Sequence, residues 1–405
     1  MKQYLIRGKR IVTVSDKKTI ADGALAIKDG KIIDVGRWQD VSERFRQWTV
    51  IDCKEATITP ALVDCHTHLL EFAPPALFPV TKETHLLKGK ALLLDSLSAG
   101  ITALGEQLCG SPNAHFSIDE FKKAVVDIPM DVSFAATSIS IGFQELAHFT
   151  SVTKTLRVTK QQLMSEYVIE QLIEHSDYPG ENLFLNATPA NFLETDVPRA
   201  GELIYSEDEL KTITEKFHAN DKKIGVHVAG KEGIDLALRA NVDVIHHAHG
   251  ITKEQMKEVA KRNIPIVATP IGGTHLRPNS PEDIVQLVTN GIDVSISTDG
   301  FLPPHKDATW LPYSDRRLKG PEELMRISHL PMKRLKHFGL DENEILALLT
   351  KNPAKILGKA ARFGSLEIGK EANFLVADGI PGLEITDKTK IKQVYVRGKK
   401  VIDRR

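Results

Sequence analysis

The sequence predicts an α/β protein, a (β/α)8 TIM barrel with a small β-sandwich domain that is built from both chain termini. Eight short apolar runs alternate with helical or loop segments through the middle of the chain, an order typical of parallel strands. Segments rich in β-forming residues precede and follow that region. A doubly wound open sheet is the rival architecture, but the sequence contains no glycine fingerprint for a dinucleotide.

The two ends of the chain have the pattern of short strands joined by tight turns. Asp29-Gly30 and Arg397-Gly398 are turn signals that adjoin such strands. The predicted terminal strands are residues 4–6, 10–14, 24–28, 31–35, 373–377 and 391–396. Because chain termini often lie close together, we expect residues 1–58 and 357–405 to form one β-sandwich domain.

The central region, residues 59–356, contains the eight predicted strands of the barrel. They are residues 62–65, 101–104, 132–136, 183–185, 224–228, 242–245, 264–268 and 294–297. Helices between them have clear start signals. Ser206 with Glu209 and Thr252 with Gln255 form capping boxes, and Ser280-Pro281 places proline in a first helical turn.

Composition excludes several classes of protein. The 405 residues include 53 basic and 53 acidic side chains, so the net charge is zero and a nucleic-acid binder is not expected. No apolar run approaches the length of a membrane span, and the N-terminus lacks the apolar stretch of a signal peptide. Three cysteines do not make a disulfide framework. These features predict a cytoplasmic protein with a small-molecule substrate.

Metal-ligand residue types stand at the ends of several predicted strands. His66 and His68 end the first run, His227 ends the fifth, and Asp299 follows the eighth. A single histidine at a strand end is more often a hydrogen-bonded structural residue than a metal ligand. Four ligand-type residues at the same end of one barrel favour a metal site over coincidence. Imidazole and carboxylate suit zinc and other divalent ions, so the pattern predicts a metal site.

The sixth run ends in a cluster of histidines, His246, His247 and His249. In a regular strand, neighbouring side chains point to opposite faces, so His246 and His247 would not share the pocket. At most one member of the cluster needs to face the site. The sequence leaves open which one does.

Several motifs resemble those of the amidohydrolase superfamily, over nearly the whole chain. Residues 58–68, Ile-Thr-Pro-Ala-Leu-Val-Asp-Cys-His-Thr-His, are similar to its first-strand signature, with Ala61 where glycine is usual. Further similar stretches are residues 21–24, 29–36, 100–104, 352–358 and 364–373. The stretch from His227 to His249 most resembles the imidazolonepropionase and prolidase-like branch.

The resemblance implies a metal site at the barrel mouth. It implies His66, His68, His227 and Asp299 as ligands of one divalent ion, with Zn²⁺ favoured and iron, manganese or nickel left open. His247 matches a sixth-strand histidine that binds a second metal or contacts the reacting carbonyl. A homodimer is a further expectation from the family alone.

Two departures from the family pattern narrow the prediction. The fourth run, residues 182–188, has no lysine for a carbamate bridge between two metals, which favours a single ion. Glu106 could replace that bridge, or could be a solvated or substrate-facing carboxylate. Gly230 stands where the deaminase branch has glutamate, and Glu232 lies further on, so a deaminase is disfavoured.

The sequence therefore predicts a hydrolase that opens a carbon–nitrogen bond, in a cyclic amide or amidine rather than a peptide, by a metal-activated water. Asp299 would move the proton and His247 would polarise the carbonyl. Candidate substrate contacts are Glu106, Gln107, His275, Arg277 and His305, each also readable as an ordinary loop residue.

The alternatives are a deaminase of an N-heterocycle, a binuclear dipeptidase of the prolidase-like branch, and a scaffold without activity. The loop of residues 71–80 could form a lid, a packing loop or a dimer contact.

Overall fold

The computed structural model describes residues 3–70, 81–110, 117–139, 149–150, 152, 159–187, 191 and 199–404. In chain order the strands are β1 (Gln3–Val12), β2 (Thr19–Lys28), β3 (Lys31–Arg37), β4 (Thr49–Pro60), β5 (Leu62–Thr67), β6 (Ile101–Leu108), β7 (Asp131–Ala136), β8 (Ser138–Ile139), β9 (Phe149–Thr150), β10 (Leu183–Phe184), β11 (Gly225–Ala229), β12 (Val244–His249), β13 (Ile266–Ala268), β14 (Val294–Ile296), β15 (Phe374–Ala377), β16 (Ile391–Val396) and β17 (Lys399–Asp403).

The helices, in the same order, are α1 (Trp38–Arg44), α2 (Lys82–Ser98), α3 (Ile118–Val125), α4 (Lys160–Leu163), α5 (Glu166–His175), α6 (Glu207–Ala219), α7 (Lys231–Arg239), α8 (Lys253–Lys261), α9 (Pro281–Thr289), α10 (Leu324–His337), α11 (Glu342–Leu346) and α12 (Lys351–Ile356). The predicted helix starts are confirmed. Ser206 and Thr252 accept from the backbone of Glu209 and Gln255, and Pro281 begins α9. No helix among the described residues is long and apolar enough to cross a membrane.

Both chain ends contribute to one sheet, as predicted. Its order is β17-β16-β15-β4-β1-β2-β3, with β1 and β4 parallel and the other neighbours antiparallel. The hairpin at Asp29-Gly30 is confirmed, because Lys28 pairs with Lys31 across it. Phe374 stacks on Tyr395 at a ring-centroid distance of 4.3 Å, in a core shared with residues of β1 and β2. The exact domain boundaries stay a prediction.

All eight apolar runs overlap strands of the structure. They form two parallel sheets, β5-β6-β7 and β10-β11-β12-β13-β14. Helices follow most of these strands and pack against them to form the largest apolar core. This alternation makes the protein an α/β fold and places the carboxyl ends of successive strands on the same side.

Hydrogen bonds join the two parallel sheets at both of their edges. After β14, the Asp299 N–H donates to the His66 carbonyl (3.1 Å) and the His68 N–H donates to the Gly300 carbonyl (2.8 Å). At the other edge, the side-chain amide of Asn182, the residue directly before β10, donates to the Ala136 carbonyl at the end of β7 (3.1 Å). The end of β5 therefore lies beside the end of β14, although 230 residues separate them in the sequence.

Candidate metal centre

Six side chains with metal-ligand atoms meet at the strand ends. They form two groups that share one carboxylate, His66, His68, Glu181 and Asp299 in the first and Glu181, His227 and His247 in the second. Within each group the ligand atoms all lie within 4.8 Å of one another. The structure thus brings together all four ligands that the family resemblance implies. It adds His247 and a residue that the sequence analysis did not name, Glu181.

The first group is held by the ends of β5 and β14. Nε2 of His66 and Nε2 of His68 lie 3.3 and 3.5 Å from Oδ1 of Asp299. The carboxylate of Asp64 ties the two strands together, because it accepts from the Thr298 hydroxyl (2.6 Å). Burial raises the pKa of Asp64 to about 6.

Glu181 lies at the centre of the cluster. Its Oε1 contacts Nε2 of His66, and it lies 3.7 Å from Nε2 of His68 and 3.0 Å from Nε2 of His247. Its Oε2 lies 3.8 Å from Nδ1 of His227. The ring of His227 is held by Phe184, which stacks on it at a centroid distance of 3.8 Å. One carboxylate therefore faces four imidazoles on three strands.

The backbone before β10 carries Glu181 into this position. The Glu181 N–H donates to Oε1 of Gln107 (2.8 Å), so Gln107 positions Glu181. The side-chain oxygen of Gln107 is therefore bound to the backbone, although the sequence analysis proposed this residue as a substrate contact. Gly180 and Gly225 permit the close approach, since a Cβ on Gly225 would lie 2.0 Å from the Gly180 carbonyl oxygen. The fourth run has no lysine, as the sequence analysis noted, but the residue directly before it, Glu181, places a carboxylate in the cluster. The sequence signal for this residue is a carboxylate next to the start of the run.

The sixth strand delivers two histidines to the interior. Nε2 of His247 contacts Glu181, and its Nδ1 lies 2.8 Å from the Thr269 hydroxyl. His246 also points inward, with Nδ1 2.7 Å from Nδ1 of His66. The expected alternation fails because His247 and Ala248 have positive φ values of 69° and 52°, which break the regular strand. His249 lies outside the two ligand groups, and its ring contacts the hydroxyls of Thr269 (3.2 Å) and Thr274.

Glu106 is occupied elsewhere. Its two oxygens accept from the Thr67 hydroxyl and from the Leu70 N–H, each at 2.7 Å. It belongs to neither ligand group among the described residues. These two hydrogen bonds fix the chain that leaves β5, so in this structure Glu106 has a structural contact and not a place in either ligand group.

The other three candidate substrate contacts, Arg277, His275 and His305, do not belong to the two ligand groups. Arg277 donates to Asp283 (2.9 Å), stacks over Trp310 and is turned toward solvent. His275 and His305 are buried, and His305 lies beside His249 rather than among the ligands. The loop of residues 71–80 lies outside the described residues.

Charge within the cluster shifts several pKa values in opposite directions. Burial lowers the pKa of His66, but the charges of Glu181 and Asp299 outweigh it and raise that pKa to about 10. Burial and the neighbouring His247 lower the pKa of His227 to about 4. Although burial raises the pKa of Glu181, the charge of His66 and the nearby imidazoles of His227 and His247 hold that pKa well below its usual range. The cluster therefore combines an ionised Glu181 with a neutral imidazole, that of His227.

The donor set fits a divalent metal ion. Oε2 of Glu181 is buried and makes no hydrogen bond of ordinary length among the described residues, since Nδ1 of His227 lies 3.8 Å away. A buried polar atom without such a partner is costly, and a cation would satisfy it. Two carboxylates with four imidazoles are the ligand types of zinc and related ions.

Comparison with known proteins places the chain in a family. The model of the amidohydrolase family matches residues 57–401, so the chain belongs to that family. It is 24% identical over 390 residues to the 5-methylthioadenosine/S-adenosylhomocysteine deaminase of Desulforudis audaxviator, covering 92% of this chain and 84% of that protein. It is 23% identical over 330 residues to the imidazolonepropionase of Pyrobaculum arsenaticum, covering 73% and 77%.

The fold is shared with solved amidohydrolase structures. A crystal structure of a prolidase complexed with N-methylphosphonate-L-proline superimposes with a TM-score of 0.73 at 16% identity, covering 100% of both chains. The protein is thus a hydrolase that acts on carbon–nitrogen bonds, as the sequence analysis predicted.

Proposed function

We propose that this protein hydrolyses a carbon–nitrogen bond in a small cyclic amide or amidine, with divalent metal held by His66, His68, Glu181, His227, His247 and Asp299. The observation that carries the proposal is the pair of buried ligand groups that share Glu181. The imidazolonepropionase among the relatives supports the substrate class. Zn²⁺ fits the donor types best.

The proposal includes closure of the eight parallel strands into a (β/α)8 barrel. Its support is the hydrogen bonding between residues at the ends of the two parallel sheets, at His66 with Asp299 and at Ala136 with Asn182. In such a barrel the active site lies at the carboxyl ends of the strands. Near these ends, His66 and His68 lie in and directly after the last residues of β5, and Asp299 follows β14. His227 and His247 lie within β11 and β12, and Glu181 lies in the segment before β10.

Two ions rather than one fit this arrangement. His66, His68 and Asp299 would hold the first, His227 and His247 the second, and Glu181 would serve both. This revises the preference for one ion that the missing fourth-strand lysine suggested. A bound divalent ion acts as a Lewis acid, which lowers the pKa of a water molecule from 15.7 to about 7.

The protein's own residues supply the proton transfer. Asp299 is the carboxylate at the mouth, and its Oδ1 and Oδ2 face different histidines, His66 at 3.3 Å and His247 at 3.9 Å. It would accept a proton from the attacking water and deliver it to the leaving nitrogen. Such general acid–base catalysis typically contributes about 10²–10⁴-fold.

The charge around the cluster favours a substrate without a free carboxylate. The ion pairs of its six members involve only imidazoles and carboxylates among the described residues, with no lysine or arginine. Arg277 is engaged by Asp283. Gly230 is the N-cap residue of α7 and has no side chain, and Glu232 is exposed on the first turn of that helix. Neither residue therefore presents a carboxylate that could protonate a ring nitrogen of a deaminase substrate.

A binuclear dipeptidase is the second candidate. The shared position of Glu181 between two ligand groups favours it, since two metals would then be held as in the prolidase-like branch. Among the described residues, the cluster has no lysine or arginine to bind the carboxylate of a peptide, and this argues against the dipeptidase.

The test is an assay of metal-loaded protein on three substrate panels, cyclic amides and amidines, amino-substituted N-heterocycles, and Xaa-Pro dipeptides. We expect ring opening in the first panel, with no ammonia released from the second. The variant Asp299→Asn should fold normally and lose about 10²–10⁴-fold in kcat. Turnover confined to the dipeptides would replace the proposal with the second candidate, and wild-type kcat in Asp299→Asn would remove Asp299 as the proton carrier.

A further inference from the structure

A chain of two histidines and a carbonyl lies behind the metal ligands. Nδ1 of His246 is 2.7 Å from Nδ1 of His66, and Nε2 of His246 is 3.1 Å from the carbonyl oxygen of Pro179. All three groups are in the interior, and both imidazoles are fully buried. His246 belongs to neither ligand group.

The hydrogen-bonding capacity of these groups fixes where the protons are. A carbonyl oxygen only accepts, so Nε2 of His246 must carry the hydrogen that it donates to Pro179. The two Nδ1 atoms are 2.7 Å apart, which requires one proton between them, and a His246 ring that donates through Nε2 has its Nδ1 available as the acceptor. Nδ1 of His66 is then the donor between the two rings. Because that nitrogen is engaged by His246, the ring nitrogen of His66 left to bind metal is Nε2, the atom that faces Glu181 and Asp299.

We propose that His246 is a positioning residue that fixes the tautomer of His66 and so presents its Nε2 to the metal. Metal-binding histidines usually donate their second N–H to a carboxylate, a backbone carbonyl or water. Here the imidazole of His246 accepts instead. Its own orientation is set by its hydrogen bond to the Pro179 carbonyl, and it in turn orients the ring of His66. The inference rests on the proposed metal site, but it concerns hydrogen positions that exist without metal.

The geometry of the backbone supports a dedicated relay. The segment Pro179-Gly180-Glu181 supplies both the carbonyl that orients His246 and the carboxylate that faces His66. His246 pairs in register with His227 on β11, so the relay and the second ligand group share neighbouring strands. A shift of this segment would therefore move Glu181 and, through the Pro179 carbonyl and His246, also change the support of His66.

Two substitutions separate a hydrogen-bonding role from a packing role. His246→Asn keeps an acceptor, Oδ1, near the position of Nδ1, whereas His246→Leu removes it, and both lose the bond to Pro179. We expect zinc affinity, measured by competition with a chromophoric chelator, to fall about 10–100-fold in His246→Leu. His246→Asn should stay within a few-fold of wild type. His329→Leu, which removes a hydrogen bond to the Gly382 carbonyl (2.9 Å) away from the cluster, is the control and should leave zinc affinity unchanged.

A second readout needs neither metal nor a variant. In the metal-free protein with ¹⁵N-labelled histidine, two-bond ¹H–¹⁵N spectra should show protonated Nε2 and unprotonated Nδ1 in His246, and protonated Nδ1 in His66. The opposite pattern would overturn the relay even if His246→Leu did not fold. Equal loss of zinc affinity in the leucine and asparagine variants would also overturn it. If wild-type protein bound no zinc but showed the expected protonation, the proposed function would fail and the relay would stand.

Discussion

Gly273 shows how closely the backbone approaches the proposed ligands. Its φ is +116°, and a Cβ there would lie 2.3 Å from Oδ2 of Asp299 and 2.6 Å from Cε1 of His247. A side-chain oxygen of Asn191 accepts from its N–H at 2.9 Å and so holds it in place. Glycine is required here both by the backbone conformation and by the space.

Gly273→Ala should therefore disturb the metal site rather than only the fold. We expect metal affinity and kcat to fall about 10–100-fold, because the added methyl group displaces Asp299 or His247. Gly291→Ala is the matched control, since Gly291 also has a positive φ, +83°, but a Cβ there meets nothing within 4 Å. Metal content and kcat should be normal in the control. Equal losses in the two variants would show that backbone strain alone is responsible.

Residue types at strand ends made much of the cluster predictable. His66, His68, His227 and Asp299 follow apolar runs, and the structure does bring them together. Glu181 was not predictable in this way, because it precedes its strand and is carried inward by an irregular backbone. The inward direction of both His246 and His247 depends on positive φ values that no periodicity reveals.

At the scale of elements, the approach of β11 to the segment before β10 sets the position of Glu181. A Cβ on Gly225 would lie 2.0 Å from the Gly180 carbonyl oxygen and 2.3 Å from that of Pro179. The apolar runs predicted that strands exist here, but not how short β10 is or that β12 extends through His249. Strand length depends on such contacts between distant segments, which a local pattern does not contain.

Gly225→Ala should push the segment before β10, residues 179–181, away from β11. Overpacking of this kind typically costs about 1–3 kcal/mol, so we expect a lower free energy of unfolding in denaturant titrations. We also expect weaker metal binding, because Glu181 and the Pro179 carbonyl move with the backbone. Gly36→Ala in β3 is the control, since its Cβ would meet only side-chain atoms at 3.3 and 3.9 Å. Retention of full metal affinity in Gly225→Ala would contradict the proposed role of this packing.

For the whole molecule, the ligands connect the two parallel sheets. His66 belongs to β5 of one sheet and His68 directly follows that strand, whereas His227 and His247 belong to β11 and β12 of the other sheet. A metal bound by both groups would be a cross-link that exists only in the folded chain. Such a ligand stabilises the native state by mass action, by about 2.7 kcal/mol when its free concentration is 100 times Kd.

Chelation should therefore lower the melting temperature of the entire chain in one cooperative transition. We expect a smaller decrease in Glu181→Gln, because that variant loses the carboxylate that both groups share and binds metal less tightly at the start. Lys388→Ala is the control. It removes the ion pair with Asp95 (2.5 Å), which joins the segment before β16 to α2 away from the cluster. Because distant contributions to stability add, chelation should change the melting temperature of this variant by as much as it changes that of the wild type. If chelation removed the metal without changing the melting temperature of the wild type, the ligands would not join the two sheets, and the six residues would have to bind metal in some other arrangement.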